Sequence, residues 1–313
     1  MRALVTGASG FVGRHLLDAL RRDGIETLGC GGPNDADPDT PSIDVNDLDS
    51  MQSALATFRP TIVFHLAAQS FVPDALQRPA ETYEANAMGT ARLAQAVRQY
   101  SGPAPRIVFA SSAEVYGARD PAEYPLRESL DLRPRNPYGA SKAAAEMFLA
   151  SEARSFGADV VIARAFNHIG PGQREHFAIA SFAAQLARIA AGAPPQLFVG
   201  NLEVARDFLD VRDVAAAYIA LARKGEQGEV YNVCSGAAVT IRDVLRELIG
   251  IARVPVEVRE DAVRVRAVEI PVSVGNPEKL RARTGWAPRM TLMQSLRDVY
   301  AAARERVAVE ALS

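Results

Sequence analysis

At 313 residues and 48% hydrophobic content, the chain can hold one large α/β unit or two domains that share an interface. Its 35 basic and 37 acidic residues leave a net charge of −2, which implies no general attraction to nucleic acid or an anionic membrane. No apolar run reaches transmembrane length, no secretory n-region precedes the first strand, and Cys30 and Cys234 are the only cysteines, so the expected setting is a reducing cytoplasm. His15, His65, His168 and His176 show no ligand spacing, and no metal is expected.

The first predicted strand, residues 2–6, runs into Gly7-x-x-Gly10-x-x-Gly13 and then an amphipathic helix to residue 22. Gly7 permits a turn that a Cβ would obstruct. Gly10 lets the main chain approach a phosphate, and Gly13 lets the helix pack on the strand. The first helical turn, Phe11 and Val12 included, has N–H groups without helical partners, and these favour a pyrophosphate. Residues 26–30 read as a strand, 31–41 as a Gly/Pro/Asp-rich loop and 48–58 as a helix. An NAD site commonly carries an acid about twenty residues past the glycines. Gly29-Cys30-Gly31-Gly32 supplies neither an acid nor an Arg pair, so NAD(H) and NADP(H) both stay open. Asp44, followed by Val45, either meets an adenine amino group or caps the next helix.

Strand 61–66 ends in Leu66-Ala67-Ala68-Gln69-Ser70, small residues that let a cofactor lie close to the backbone. Helix 79–100, strand 106–110, a helix from Tyr138 to about residue 156 and strand 159–164 follow. This alternation predicts a parallel sheet covered on both faces, with ligands at its carboxyl ends. Past residue 164 the pattern changes. Loop 166–173 precedes helix 177–191, a short strand-like pair at 197–199 and 204–208, helix 211–223 and strand 229–233. Thr240 reads as the N-cap of another helix. A strand at 257–265 and helices at 277–284 and 291–306 complete the reading. The expected fold is α/β, a Rossmann-like doubly wound parallel sheet with a smaller, interleaved C-terminal α+β substrate domain. Residues 1–166 form the first domain, with 211–236 returning to it; 167–210 and 237–313 form the second.

Tyr138 and Lys142 stand at i and i+4, one turn apart on one helix face. An ammonium beside a phenol stabilises the phenolate, which predicts a lowered Tyr138 pKa and a general acid or base usable near neutrality. Chance supplies about 0.08 such pairs in a chain of this composition. Lysine is otherwise confined to Lys224 and Lys279, the remaining positive charges being arginine, so a solvated face would have received arginine. Ser112, at a strand end, is placed to hydrogen-bond the same reacting oxygen or to cap a turn. Glu114 is either a solvated loop carboxylate or a second proton-transfer group.

Gly7-x-x-Gly10-x-x-Gly13, Ser112 with Val115-Tyr116-Gly117, and Tyr138-x-x-x-Lys142 together resemble the extended short-chain dehydrogenase/reductases, the branch acting on nucleotide sugars. Residues 164–173, 199–214 and 230–236 are similar to the GDP-6-deoxy-4-keto-mannose reductases and to their relatives, the GDP-mannose 4,6-dehydratases. The resemblance implies a dinucleotide held by Gly7, Gly10, Phe11, Val12, Gly13, Asp44, Val45, Leu66, Ala67, Ala68, Tyr138 and Lys142. It implies catalysis by Ser112, Glu114, Tyr138 and Lys142. Gln69, Ser70 and Ser112 would bind the substrate, Asn167 and Arg206 its sugar diphosphate, and Arg266 with Glu269 the phosphate and guanosine. Where the family has a proline after that arginine, this chain has Ala267.

The expected reaction is reduction of the C4 ketone of a GDP-linked 6-deoxy-4-keto hexose. A GDP-mannose dehydratase is the alternative, ahead of a 4-epimerase and a cofactor-binding regulator. The helix after Tyr138 is apolar on nearly every side, and Leu93, Ala94, Ala96 and Val97 offer a similar surface. These imply a homodimer through a four-helix bundle, as the resemblance does.

Overall fold

The computed structural model describes residues 1–32, 43–264 and 269–310. In chain order the elements are β1 (Arg2–Thr6), α1 (Phe11–Arg22), β2 (Glu26–Cys30), α2 (Leu48–Phe58), β3 (Ile62–His65), α3 (Val72–Gln77), α4 (Pro79–Tyr83), α5 (Gly89–Gln99), β4 (Arg106–Ser112), α6 (Pro137–Phe156) and β5 (Val160–Ala165). They continue with β6 (Asn167–Ile169), α7 (Ala178–Ala190), β7 (Gln196–Val199), β8 (Ala205–Asp210), α8 (Val211–Lys224), β9 (Val230–Val233) and β10 (Ala238–Thr240). The last are α9 (Ile241–Ala252), β11 (Glu257–Glu260), β12 (Val272–Ser273), α10 (Glu278–Thr284) and α11 (Leu292–Glu310).

The main sheet is parallel throughout, in the order β2-β1-β3-β4-β5-β9. Its central strands are largely apolar runs because both faces are covered. Leu16 and Leu20 of α1 pack with Val214 and Leu221 of α8 on one face. Met51, Leu55, Leu93, Val97 and Leu149 cover the other. β1 lies between β2 and β3, so the winding reverses there, and the carboxyl ends of β1 and β3 open a crevice between them.

The second unit is built on β8, which pairs parallel with β6 and β12 and antiparallel with β10. Phe182, Leu186, Leu245, Leu248, Leu296 and Val299 from α7, α9 and α11 form its core. Thr240 caps α9 by accepting the Asp243 N–H at 3.0 Å.

Several expectations need correction. The 79–100 helix is interrupted by a π turn at Glu84–Met88, whose extra residue turns Asn86 inward, where it is fully buried. β7 and β8 do not pair with each other: β7 runs parallel to β11, a partner that periodicity alone cannot name. The strand expected at 257–265 stops at Glu260, and Ala262–Arg264 form a 3₁₀ turn. Loop 166–173 contains β6. β9 is the last strand of the main sheet and α8 packs on one of its faces, where Leu280 of α10 and Trp286 join the same core. Leu93, Ala94, Ala96 and Val97 are at most 5% exposed and serve this chain's own core rather than an outer surface. Arg266 and most of the 31–41 loop lie outside the described residues.

Candidate active site

The crevice is shaped by backbone before side chains. Gly7 adopts φ 69°, and a Cβ there would come within 2.8 Å of the Ala67 nitrogen, so only glycine lets the β1 and β3 ends approach. A Cβ on Gly13 would overlap the Gly7 and Ala8 carbonyl oxygens, so that glycine is required by the turn itself. Gly10 is the N-cap of α1, offers no side chain to the helix end, and is followed by a first turn without an acid. The bare N–H groups of Phe11, Val12 and Gly13 therefore face the crevice as donors.

A cleft of about 750 Å³ runs from this turn across the sheet. It is lined by Gly7, Gly10, Phe11, Val12, Gly13, Asp44, Val45, Leu66, Ala67, Ala68, Ser70, Ser112, Glu114, Tyr138, Lys142 and Asn167. Asp44 accepts the Asn46 N–H at 2.8 Å, and the helix cap is Asp47 instead. Three expected site residues do not line the cleft. The Gln69 backbone exchanges hydrogen bonds with the Asn86 side chain at 2.8 and 2.9 Å, which makes Gln69 a loop anchor. Arg206 donates to the carbonyls of Ala205 and Pro271. Glu269 accepts from Asn201 Nδ2 at 2.6 Å. A fourth, Arg266, is outside the described residues.

Around the reacting end, Ser112 closes β4, and its Oγ accepts the Glu114 N–H at 3.2 Å. Tyr138 stands in the first turn of α6, half-buried, and Lys142 follows one turn later with 2% exposure. The Lys142 ammonium donates to the Ala110 carbonyl at 2.7 Å and lies 4.7 Å from the centre of the Phe109 ring. The expected lowering of the Tyr138 pKa is not found. Burial pushes the phenol up to about 12; a hydrogen bond with Ser112 opposes this, and the Glu114 charge adds to it. Lys142, committed to Ala110, is itself pushed down to about 7 by burial, against the pull of Glu146. The pair thus holds a firmly protonated phenol beside an ammonium that titrates near neutrality.

Beneath the cleft lies a polar chain that the sequence did not reveal. Thr90 donates to the Asn86 carbonyl at 2.6 Å, so its oxygen accepts from His65 Nε2 at 3.0 Å, and His65 Nδ1 takes the Thr6 hydroxyl at 2.8 Å. This network assigns the Nε2–H tautomer, and burial holds the imidazole neutral by pushing it down to about 3. Asn86 Nδ2 donates on to Ser141 Oγ at 2.9 Å, which donates to the Tyr138 carbonyl at 2.8 Å. A second buried group joins Glu146 of α6 to Arg164 of β5 at 2.7 Å and to the Ser111 hydroxyl of β4. From the second unit's side the cleft gains Gln173, Arg174, Phe177 and Ser273. Of these, Gln173 closes the 166–173 stretch and Arg174 follows it, and the sequence motifs mark neither as a site residue.

A family model described as GDP-mannose 4,6 dehydratase matches residues 4–299. The chain belongs to that family. As a member it is an NAD(P)-dependent nucleotide-sugar oxidoreductase of the extended short-chain type. GDP-6-deoxy-D-mannose reductase of Pseudomonas aeruginosa is 41% identical to it, over 99% of this chain and 99% of that one. The structure of RMD from Pseudomonas aeruginosa complexed with NADPH matches at a TM-score of 0.85 and 40% identity, covering 97% of this chain and 99% of the other. The UDP-glucose 4-epimerase of Thermus thermophilus in complex with NAD matches equally at 0.85, with 31% identity and the same coverage. The family member's cleft fits a dinucleotide: an α1 N-terminus with no side-chain cap, small residues at the β3 end, and a buried Gln173 Oε1 that has no partner among the described residues. Bound there, the nicotinamide supplies a hydride; what this chain supplies is placement and a proton.

Proposed function

We propose that the protein reduces the C4 ketone of GDP-4-keto-6-deoxy-D-mannose to a GDP-6-deoxyhexose of the GDP-D-rhamnose type, with NAD(P)H as reductant. The observation that carries the reading is the end-to-end match, at 41% identity, to a GDP-6-deoxy-D-mannose reductase. The site's proton inventory agrees with it. A ketone gaining a hydride needs a proton on its oxygen, and Tyr138, a phenol lining the cleft, can give one. Ser112 supplies a second donor to the same oxygen, and Lys142 fixes the cleft wall through Ala110. Asn167 lines the cleft and, with Arg206, is assigned to the sugar diphosphate; Arg266 and Glu269 are assigned to the phosphate and guanosine.

Glu114 favours a second reading. It lies in the cleft close enough to raise the Tyr138 pKa, where an elimination would need a base for the C5 proton. An elimination cycle, however, begins with oxidation and uses the same Tyr138 proton in the opposite direction, so the phenol serves either reading and it is the match to a reductase that favours reduction. The test is direct. Purified protein should consume NAD(P)H stoichiometrically with GDP-4-keto-6-deoxymannose and leave GDP-mannose untouched. Conversion of GDP-mannose to the 4-keto sugar without added reductant would transfer the assignment to the dehydratase, and Glu114→Gln should then abolish it.

The proposal includes a homodimer. Tyr83, Met88, Met147 and Phe156 are 39–68% exposed along the α4–α6 side, large apolar groups that a second copy would cover. Its setting is the cytoplasm. Cys30 and Cys234 are free and buried, and burial pushes the Cys30 thiol up to about 12, so that thiol is not poised for exchange. Among the described residues no helix is long and apolar enough to cross a membrane.

A further inference from the structure

Asn136 belongs to none of the motifs that identified the site, yet it touches two of its parts. It is 8% exposed and caps α6: its Oδ1 accepts the Gly139 N–H at 2.8 Å. Its Nδ2 donates to Glu114 Oε2 at 2.7 Å. The two contacts fix the amide's orientation, because the flipped form would aim its NH₂ at an N–H and its oxygen at a carboxylate. Gly139 tightens the same junction: a Cβ there would stand 2.7 Å from the Glu114 carbonyl oxygen, so the helix start abuts the Glu114 backbone directly. Glu114 is tied in turn to Ser112 Oγ through its own N–H.

We propose that Asn136 is a positioning residue, whose amide holds the Glu114 carboxylate against the first turn of the helix carrying Tyr138 and Lys142. One side chain then sets Glu114, Tyr138 and Lys142 relative to one another. The physical logic is charge placement. A carboxylate held by a positioned amide keeps its orientation without the opposing charge that a guanidinium would bring. Held there, the Glu114 carboxylate keeps one fixed place beside Ser112 and the first turn of the helix that carries Tyr138. This inference rests on the reductase reading.

The experiment uses the full chain with NADPH and GDP-4-keto-6-deoxymannose. Asn136→Ser keeps an oxygen able to cap α6 but lacks the amide donor. Asn136→Asp caps at least as well and sets a second carboxylate against Glu114. Both should keep NADPH affinity while kcat falls roughly 10- to 100-fold, the scale of a lost hydrogen bond to a charged group, with KM little changed; the melting temperature should hold in Asn136→Ser and drop in Asn136→Asp, where the two carboxylates repel. The deciding readout is a cycle with Glu114→Gln. If Asn136 acts through Glu114, Asn136→Ser should cost little more in that background. Multiplicative losses, or wild-type kcat in Asn136→Ser, would overturn the inference. If Asn136→Ser proves poorly folded, the Asp variant decides, since a stable Asp variant with full activity would refute it equally. Absence of turnover by the wild-type protein would instead strike the reductase reading.

Discussion

Lys142 loses its proton near pH 7 and Tyr138 keeps its own until about 12, so the two groups set different edges of the working range. The kcat/KM profile for reduction should therefore fall on the alkaline side with an apparent pKa near 7, as the ammonium is lost, and not near 10. In Lys142→Arg the activity that remains should be flat through that region, because guanidinium stays charged. The sign for stability runs the other way. The unfolded chain holds this proton up to about 10.5 and the folded chain releases it near 7, so folding stability should rise with pH across that window. Tyr138→Phe should leave NADPH binding intact and lower turnover by about 10²–10⁴-fold; near-normal turnover would remove the phenol from the chemistry. The existence of this pair was legible in the sequence, since spacing and the scarcity of lysine both marked it. Its charge states were not, because they depend on the Ala110 carbonyl and on burial, which no spacing encodes.

The middle of α6 and the end of β4 are locked together by groups that look misplaced when the helix is read alone. Glu146 follows three alanines on an apolar face, where an acid suggests solvent, yet it is 3% exposed. Its partner Arg164, on β5, contacts it through both Nε and Nη2, and Ser111 of β4 completes the set. Glu146→Gln should destabilise the fold by about 3–5 kcal/mol, the cost of leaving a buried guanidinium unpaired. It should also move the Lys142 limb further down in pH, since Glu146 is the charge opposing that shift. A denaturant titration and a pH profile on the same sample check both. The Gly7–Gly13 turn was legible because local backbone geometry demands those residues. The Asn86 and Asn136 roles were hidden because each depends on partners elsewhere in the chain, Gln69 and Ser141 for one and Glu114 for the other.

For the molecule as a whole, Met147→Glu should convert the proposed dimer to monomer in sedimentation at micromolar concentration, since a charge would then be buried in an apolar contact. A wild-type monomer under those conditions would sink the bundle model outright. The crossing of the chain between its two units has a further consequence. β5 pairs with β4 on one side and on the other with β9, which arrives only after α7, β7, β8 and α8 have been made. On a ribosome that gap of roughly sixty residues is several seconds of synthesis. Throughout that interval the nascent sheet ends in β5, every residue of which is buried in the finished protein and all but Arg164 of which are apolar, presented as an open edge. A chain cut short before Val230 leaves that edge open for good, so premature termination in the second unit yields a first unit prone to aggregate.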